Sequence, residues 1–239
     1  MSKELLKKIL RKAFNEGAEA PFDLREEIVE SLSNKINLNN SIQGNPLEPI
    51  DPELAKRIAT EIDKNLNNHI KELLKIAPCW LCGGSALEPL IVGNAKTWKN
   101  DYNFFCSDIN QIPFIGIQLE HINYGNDTTC WSYNENGNKI QIISSEQYLN
   151  PITVINKFDL SICQIAFWYD GSPNVFVYKN TWQDIILGQI KYIGIKPIDE
   201  LSQQNLNKLI ARIHKYISRG FRDCTGLIEK GIVPKSLRN

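Results

Sequence analysis

The residues of this chain with the clearest capacity for chemistry lie in two short blocks. The first block, residues 79–87, has the pattern of a buried strand that leads into Gly83-Gly84-Ser85, where a helix opens. The second block, residues 98–105, has the pattern of a strand that carries a carboxylate at Asp101 and an amide at Asn103. Because side chains alternate along a strand, Asp101 and Asn103 point to the same side. This strand therefore presents two oxygen ligands to one site.

The part of the chain before these blocks has the spacing of helices. Apolar residues at helical spacing over residues 5–14 form a stripe on a basic helix, and a second helix is predicted over residues 23–32. Residues 37–49, rich in Asn, Gly and Pro, predict a loop. A third helix is predicted from Asp51-Pro52 to Pro78, with an N-cap acceptor followed by proline at the first helical position. The sequence thus predicts an all-helical N-terminal region over residues 1–78.

From residue 79 onward the pattern changes to short apolar runs separated by Gly, Asn, Asp and Pro. The predicted strands are 79–82, 102–106, 114–119, 139–143, 160–169 and 174–178. Helices are expected after Gly84 and near residues 151–157, while residues 181–190 fit either a helix or a strand. We predict an α/β (α+β) domain over residues 79–239, with a mixed sheet flanked by helices.

The last predicted helix, about residues 202–221, combines an apolar face with a row of cations. The cations recur at steps of four and three residues: Lys208, Arg212, Lys215, Arg219 and Arg222. Residues 201–239 hold 8 basic and 2 acidic side chains, although the whole chain has 27 of each. Two interpretations stay open for this face. It is either a solvated helix surface or a contact surface for phosphates or nucleic acid.

In the order of these motifs the chain resembles the polymerase-β-like nucleotidyltransferase superfamily. The core motif of that superfamily is a strand, Gly-Gly or Gly-Ser, a helix, and Asp-x-Asp on the next strand. Gly83-Gly84-Ser85 matches the glycine motif and Asp101-Tyr102-Asn103 matches Asp-x-Asp. The resemblance covers roughly residues 80–221, and it is strongest to a branch found in large DNA viruses, phages and some bacteria.

The resemblance implies a site for a nucleoside triphosphate and Mg²⁺ or Mn²⁺. Backbone N–H groups and Ser85 would hold the triphosphate at the helix N-terminus, and Asp101 and Asn103 would hold the metal. Lys215 and Arg219 would meet the triphosphate or an acceptor nucleic acid, while Lys208, Arg212 and Arg222 would contact nucleic acid. A nucleoside monophosphate would then be transferred to a hydroxyl of nucleic acid, protein or a small molecule.

Two positions depart from the superfamily pattern. Asn103 supplies a neutral oxygen where the pattern has a second carboxylate, and the alternative register at Asp108-Ile109-Asn110 has the same departure. The third carboxylate is expected near residues 138–143, where the central residue is Gln141, so Asp159 is the substitute that the sequence offers. A catalytically degenerate binding module is therefore the rival hypothesis. It would act on a nucleic acid, or on a protein partner through residues 1–78.

Other sites have less support in the sequence. Cys79-x-x-Cys82 has no second close pair of ligands, so its thiols are expected to pack in a strand rather than bind zinc. The histidines, His69, His121 and His214, lie far apart, with no nucleophile nearby in sequence. The N-terminus is charged and amphipathic, and no apolar stretch reaches the length of a membrane helix. We expect a cytoplasmic protein with reduced cysteines, in the host cytoplasm if the chain is viral.

Overall fold

The structure is a computed structural model that describes residues 48–92, 101–112, 120–123, 127–135 and 137–228. Its contacts divide the chain into two compact units. The sheet unit consists of Pro49–Phe158 and Cys163–Tyr178. The described part of the second unit consists of Glu48, Asp159–Ile162 and residues 179–228.

The sheet unit is built on a mixed sheet, with seven strands among the described residues in the order β3-β4-β5-β2-β1-β6-β7. The strands are β1 (Trp80–Cys82), β2 (Asp101–Cys106), β3 (Glu120–Asn123), β4 (Thr129–Glu135), β5 (Asn138–Ser144), β6 (Ile165–Asp170) and β7 (Ser172–Val177). The pair β2 and β5 is parallel, and the other neighbours are antiparallel. The predicted mixed sheet with flanking helices is thus confirmed.

Helices α1 (Pro52–Asn65) and α2 (Asn68–Ile76) lie where the sequence predicted one continuous helix. The Asp51 side chain accepts hydrogen bonds from the first turn of α1, as its N-cap position predicts. The chain is extended at Leu66, and the Asn67 side chain then accepts from the backbone N–H of His69. Asn67 caps a new helix, and this local hydrogen bond competes with continuation of the first one.

The two faces of the sheet are covered by different helices. Helices α1 and α2 lie on the face of Tyr169, whose hydroxyl donates to Asp63 of α1 and whose ring lies under the Lys75 ammonium of α2. Helix α3 (Gly84–Val92) follows β1, and helix α4 (Pro151–Ile155) covers the opposite face. The apolar cluster under α4 includes Cys82, Phe105, Tyr148, Val154, Ile155 and Ala166. Burial of these side chains supplies the main driving force for this packing.

The second unit contains α5 (Lys179–Leu187), β8 (Gln189–Ile190), α6 (Gln203–Ile217) and β9 (Arg222–Asp223). Residues 181–190, which the sequence left open, form most of helix α5 followed by strand β8. Helix α6 begins at the Ser202 cap and buries Leu209, Ile210, Ile213 and Tyr216. It ends at Ile217 rather than near residue 221, and Gly220 then adopts φ +90°.

Several elements differ from those predicted from the sequence. Helices α1 and α2 lie in the sheet unit. The division into a helical region over residues 1–78 and a domain over residues 79–239 stays a prediction. Residues 160–164 precede β6 and include a short 3-10 turn, and strands β3 and β4 were not predicted. The helices predicted within residues 1–47 and the strand predicted at 114–119 lie outside the described residues.

No helix in the part of the chain that the structure describes is long and apolar enough to cross a membrane.

Candidate functional site

The turn between β1 and α3 is shaped by Gly83. This residue has φ +68°, a left-handed conformation that costs side-chain-bearing residues energy. Its N–H donates to the carbonyl of Ile165 at 2.9 Å, and its carbonyl accepts from Ala86 and Leu87 in the first turn of α3. A Cβ at this position would lie 3.3 Å from Cζ of Phe158. The glycine is therefore required both by its dihedral angle and by the ring that packs on it.

Ser85 connects the start of α3 to strand β2. Its hydroxyl donates to the carbonyl of Asp101 at 3.0 Å and accepts from the N–H of Asn103 at 2.9 Å. Strand β1 pairs with β2 only at Phe104 and Phe105, so these backbone groups lie beyond that ladder. The Ser85 side chain is only 2% exposed. Ser85 thus positions strand β2. The hydroxyl that makes these two bonds is the one for which the resemblance implied a role in phosphate binding.

Asp101 and Asn103 lie on the same side of β2, as the alternation predicted. Asp101 is exposed, Tyr102 between them is buried, and Asn103 is half-buried. Strand β5 runs parallel to β2, with Lys139 opposite Asp101 and Gln141 opposite Asn103. Residues that are opposite in register share a face of the sheet.

The next strand extends this arrangement by two residues. Strand β4 places Asn134 opposite Lys139 and Ser132 opposite Gln141. Six side chains on three strands thus share one face of the sheet, here called the polar patch, in which Ser132 is buried: Asp101, Asn103, Ser132, Asn134, Lys139 and Gln141. Its formal charge is zero, from one carboxylate and one ammonium. Lys139, Ser132 and Asn134 were not singled out from the sequence, although the alternation of β5 puts Lys139 on the side of Gln141.

The polar patch does not fit the Mg²⁺ or Mn²⁺ site that the resemblance implies. Magnesium is held mainly by carboxylates, which offset the cost of removing its water. The patch offers one carboxylate, from Asp101, together with the amides of Asn103 and Gln141. No group of three or more His, Cys, Asp or Glu residues among those described is placed to hold a metal ion.

The face of β2, β5 and β4 that forms the patch carries no Asp or Glu other than Asp101. The gaps at residues 93–100, 113–119, 124–126 and 136 contain no Asp or Glu. Glu120 of β3 lies in the register row of Gln141, but three strands from Asn103, which is about 14 Å at the usual spacing of strands. The donor set of the patch is therefore one that binds metal weakly.

Asp159, the substitute third carboxylate, lies in the second unit and is paired there. The Arg212 guanidinium donates two hydrogen bonds to it, at 2.7 Å to Oδ1 and 2.5 Å to Oδ2. The backbone of Asp159 also accepts from the N–H of Ile193 at 2.9 Å. A carboxylate held in this bidentate way already has its charge compensated. Asp159 thus connects α6 to the loop after β8.

The predicted row of five cations is divided by the end of α6. Lys208, Arg212 and Lys215 lie on the helix and are exposed. Arg219 follows the helix, with its guanidinium carbon 5.6 Å from the centre of the Tyr216 ring, and Arg222 is an exposed residue of β9. The contacts assigned to these side chains from the sequence, with a triphosphate or with nucleic acid, stay predictions.

The cysteines of the CxxC motif lie in the core. Cys79 and Cys82 are buried, and burial raises the pKa of both thiols well above the usual range. Burial also raises the pKa of Cys106 to about 11. Thiols that hold their protons at neutral pH are poor metal ligands and poor nucleophiles. These contacts agree with a packing role for the motif.

Comparisons with known proteins bear on the fold. No protein-family model and no curated protein matches the chain. Among solved structures, the chain is similar to the Thermotoga maritima CCA-adding enzyme complexed with tRNA, with a TM-score of 0.51 and 15% identity over 70% of this chain and 42% of that one. It also matches a CCA-adding enzyme in complex with CTP, with a TM-score of 0.48 and 14% identity over 73% of this chain and 45% of that one.

The chain therefore spans less than half the length of each of these enzymes. The likeness to the Thermotoga maritima enzyme establishes the fold: the chain has the fold of the polymerase-β-like nucleotidyltransferases. The resemblance drawn from Gly83-Gly84-Ser85 and Asp101-Tyr102-Asn103 is confirmed at this level.

Proposed function

We propose that the chain is a nucleotide-binding module built on the nucleotidyltransferase fold, which binds a nucleoside triphosphate without transferring its nucleoside monophosphate. One observation carries the proposal. The adjacent positions of β2 and β5 hold one carboxylate and two amides, at Asp101, Asn103 and Gln141. In-line attack on a phosphate requires metal ions to neutralise the charge that develops on its oxygens. A single carboxylate gives such ions little support.

The support for nucleotide binding comes from the turn at the start of α3. Gly83 turns the chain into a nine-residue helix that begins at Gly84, and the first backbone N–H groups of a helix, with the positive end of its dipole, favour an anion. Ser85 joins this turn directly to the strand of Asp101 and Asn103. A triphosphate bound at the turn would thus lie beside the polar patch, as the fold implies.

We further propose that helix α6 contacts nucleic acid through Lys208 and Lys215. Both side chains are exposed on the helix face opposite its buried residues. Arg212 between them is paired with Asp159, so its contribution would be smaller. The affinity falls as salt rises, and each lysine that neutralises a phosphate of double-stranded DNA makes the slope of log affinity against log salt steeper by about 0.9.

The role of Lys208 and Lys215 is tested by a double variant, Lys208→Gln with Lys215→Gln. This variant should bind DNA and RNA more weakly, and the slope of its log affinity against log salt on duplex DNA should be shallower by about 1.8. The matched control is Lys56→Gln with Lys64→Gln, which removes two lysines from α1 in the other unit. Equal affinity and an equal slope for the two double variants would refute the role of α6.

The nucleotide proposal is tested with the full chain and each of the four nucleoside triphosphates. Binding is measured by calorimetry, and transfer is measured with α-labelled nucleotides in Mg²⁺ or Mn²⁺, against RNA, DNA and protein acceptors. We expect binding of at least one nucleotide and no transferred label. Absence of binding in every condition would refute the module.

A second candidate is a Mg²⁺-dependent nucleotidyltransferase, the activity that the resemblance implies. It is favoured by the rigid placement of Asp101 and Asn103, whose strand is held to the nucleotide turn by Ser85. Asp101 and Asn103 would hold the metal, which would supply Lewis-acid stabilisation when bound. Transferred label that disappears in Asp101→Ala would favour this candidate over the module.

A further inference from the structure

Lys139 is the one cation of the polar patch, and it lies beside the carboxylate of the patch, Asp101. It lies on β5 opposite Asp101, and Gln141, two residues on, lies opposite Asn103. Neighbouring strands are about 4.8 Å apart, and an extended lysine side chain reaches about 6 Å from its Cα. Its ammonium can therefore reach a group held above Asp101.

The charges around Lys139 leave it available for an anion. The patch holds no carboxylate except Asp101, and its three amide residues are neutral: Asn103, Asn134 and Gln141. Within the described ranges, no salt bridge of 4.0 Å or less joins Lys139 to Asp101 or to another carboxylate. Lys139 is also only half-buried, so a bound phosphate would exchange part of its water for a direct ion pair.

A site with three carboxylates has a charge of −3 and repels a triphosphate unless metal ions lie between them. The polar patch has a charge of zero, so this repulsion is absent before any metal binds. An ammonium on the same surface is a fixed cation that donates up to three hydrogen bonds. The residues of the polar patch thus avoid the repulsion that metal ions would offset in a site of three carboxylates, and they include a cation, Lys139, that can neutralise phosphate charge.

We propose that Lys139 takes the charge-neutralising role of the metal ions, so that the chain binds the phosphate groups of a nucleoside triphosphate in the absence of any divalent cation. The inference deepens the proposed function and rests on it. The ligand chemistry is a chain of phosphates, which a nucleotide and inorganic tripolyphosphate share.

The experiment compares affinities of the full chain for the four nucleoside triphosphates and for tripolyphosphate, in EDTA and in Mg²⁺. We expect the dissociation constant in EDTA to be no larger than in Mg²⁺. Lys139→Gln should weaken binding in EDTA roughly 10- to 100-fold, the usual effect of removing a charged hydrogen bond. The matched control, Lys56→Gln, makes the same change at an exposed position of helix α1 and should leave affinity unchanged.

A second variant tests the same idea in the opposite direction. Asn103→Asp with Gln141→Asp supplies the two missing carboxylates and gives the patch a charge of −2. Its nucleotide binding should become weak in EDTA and should be restored by Mg²⁺ or Mn²⁺. Binding by this variant that is equally tight in EDTA and in Mg²⁺ would count against the charge argument.

The outcomes separate the inference from the proposed function. If the wild-type chain binds nucleotides only with Mg²⁺, and Lys139→Gln matches the Lys56→Gln control, the inference is wrong while the nucleotide-binding module stands. If no nucleotide binds in either buffer, both are wrong. If tripolyphosphate binds in EDTA as tightly as the nucleotides, the phosphates alone account for the metal-independent affinity.

Discussion

The hydroxyl of Ser85 connects helix α3 to the strand of Asp101 and Asn103 in the polar patch. It satisfies the carbonyl of Asp101 at 3.0 Å and the N–H of Asn103 at 2.9 Å, beyond the end of the ladder with β1. Ser85→Ala removes both bonds with the loss of one oxygen atom. The side chain is 2% exposed, so water reaches the vacated position with difficulty.

The expected loss of stability follows from the two backbone groups left without a partner. An unsatisfied buried polar group costs about 1–3 kcal/mol, which gives a total of about 2–6 kcal/mol. The lower half of this range applies, because Asp101 is exposed and Asn103 is half-buried, so solvent recovers part of the loss. Alanine also favours the helix by up to about 0.7 kcal/mol. We therefore expect Ser85→Ala to lower the free energy of unfolding by about 1–4 kcal/mol.

Urea unfolding followed by circular dichroism measures this change, with nucleotide affinity as a second readout. Ser172→Ala is the matched control, since Ser172 is exposed at the start of β7, and it should change the free energy of unfolding by less than about 0.5 kcal/mol. Ser85→Ala should also weaken nucleotide binding, because the turn and the strand lose their connection. A loss of stability no larger than that of the control would refute the positioning role of Ser85.

Four further predictions concern other parts of the structure. Gly83→Ala should lower the free energy of unfolding by about 1–3 kcal/mol in urea titrations, since its φ of +68° and its close ring contact both oppose a side chain, and an unchanged midpoint would contradict this. Arg212→Gln should lower the free energy of unfolding by about 1 kcal/mol or less, because the side chains of Arg212 and Asp159 are 44% and 27% exposed. The loss should be smaller in high salt, and a loss of stability that salt does not reduce would show that the ion pair is not its cause. In thiol titration of the native chain at pH 8, one cysteine should react rapidly, Cys224, and Cys224→Ser should abolish that phase, whereas several rapid thiols would contradict the buried placement of the other five. In the folded chain the thiols of Cys79 and Cys82 have a pKa well above the value of about 9.0 that applies in the unfolded chain. The free energy of unfolding should therefore not depend on these thiols below pH 9, and it should fall as the pH rises above 9, where the unfolded chain loses their protons first.

The sequence was sufficient for the local features of the site. The strand, glycine pair and helix over residues 80–92 are marked by an apolar run, by glycines and by a small hydroxyl residue, all within a dozen positions. The common side of Asp101 and Asn103 follows from the period of a strand. The cap at Asp51 and the core face of α6 also follow from short-range patterns. Each of these depends on residues close together in the chain, whose geometry the backbone dictates.

Where the sequence was insufficient, contacts between distant residues decided the outcome. The two hydrogen bonds of the Ser85 hydroxyl reach residues that lie 16 and 18 positions further along the chain. The ion pair of Arg212 with Asp159 joins residues 53 positions apart. Neither pairing has a signal in spacing. The roles predicted for Ser85 in phosphate binding and for Asp159 in the metal site stay predictions beside these contacts. The break at Leu66-Asn67 was readable in principle, since Asn67 is a strong N-cap residue, but the continuous apolar stripe favoured a single helix.

The types of residue at the site were thus determined by the sequence alone, including one carboxylate at Asp101, the amide at Asn103 and the change to Gln141. Only the tertiary structure decided that β5 lies parallel beside β2, in the register that puts Lys139 opposite Asp101. Strand order and register depend on how the whole sheet buries its apolar faces, and a shift of one residue would move Lys139 to the other face. The net charge of the polar patch, on which the proposed chemistry depends, is therefore a property of the fold.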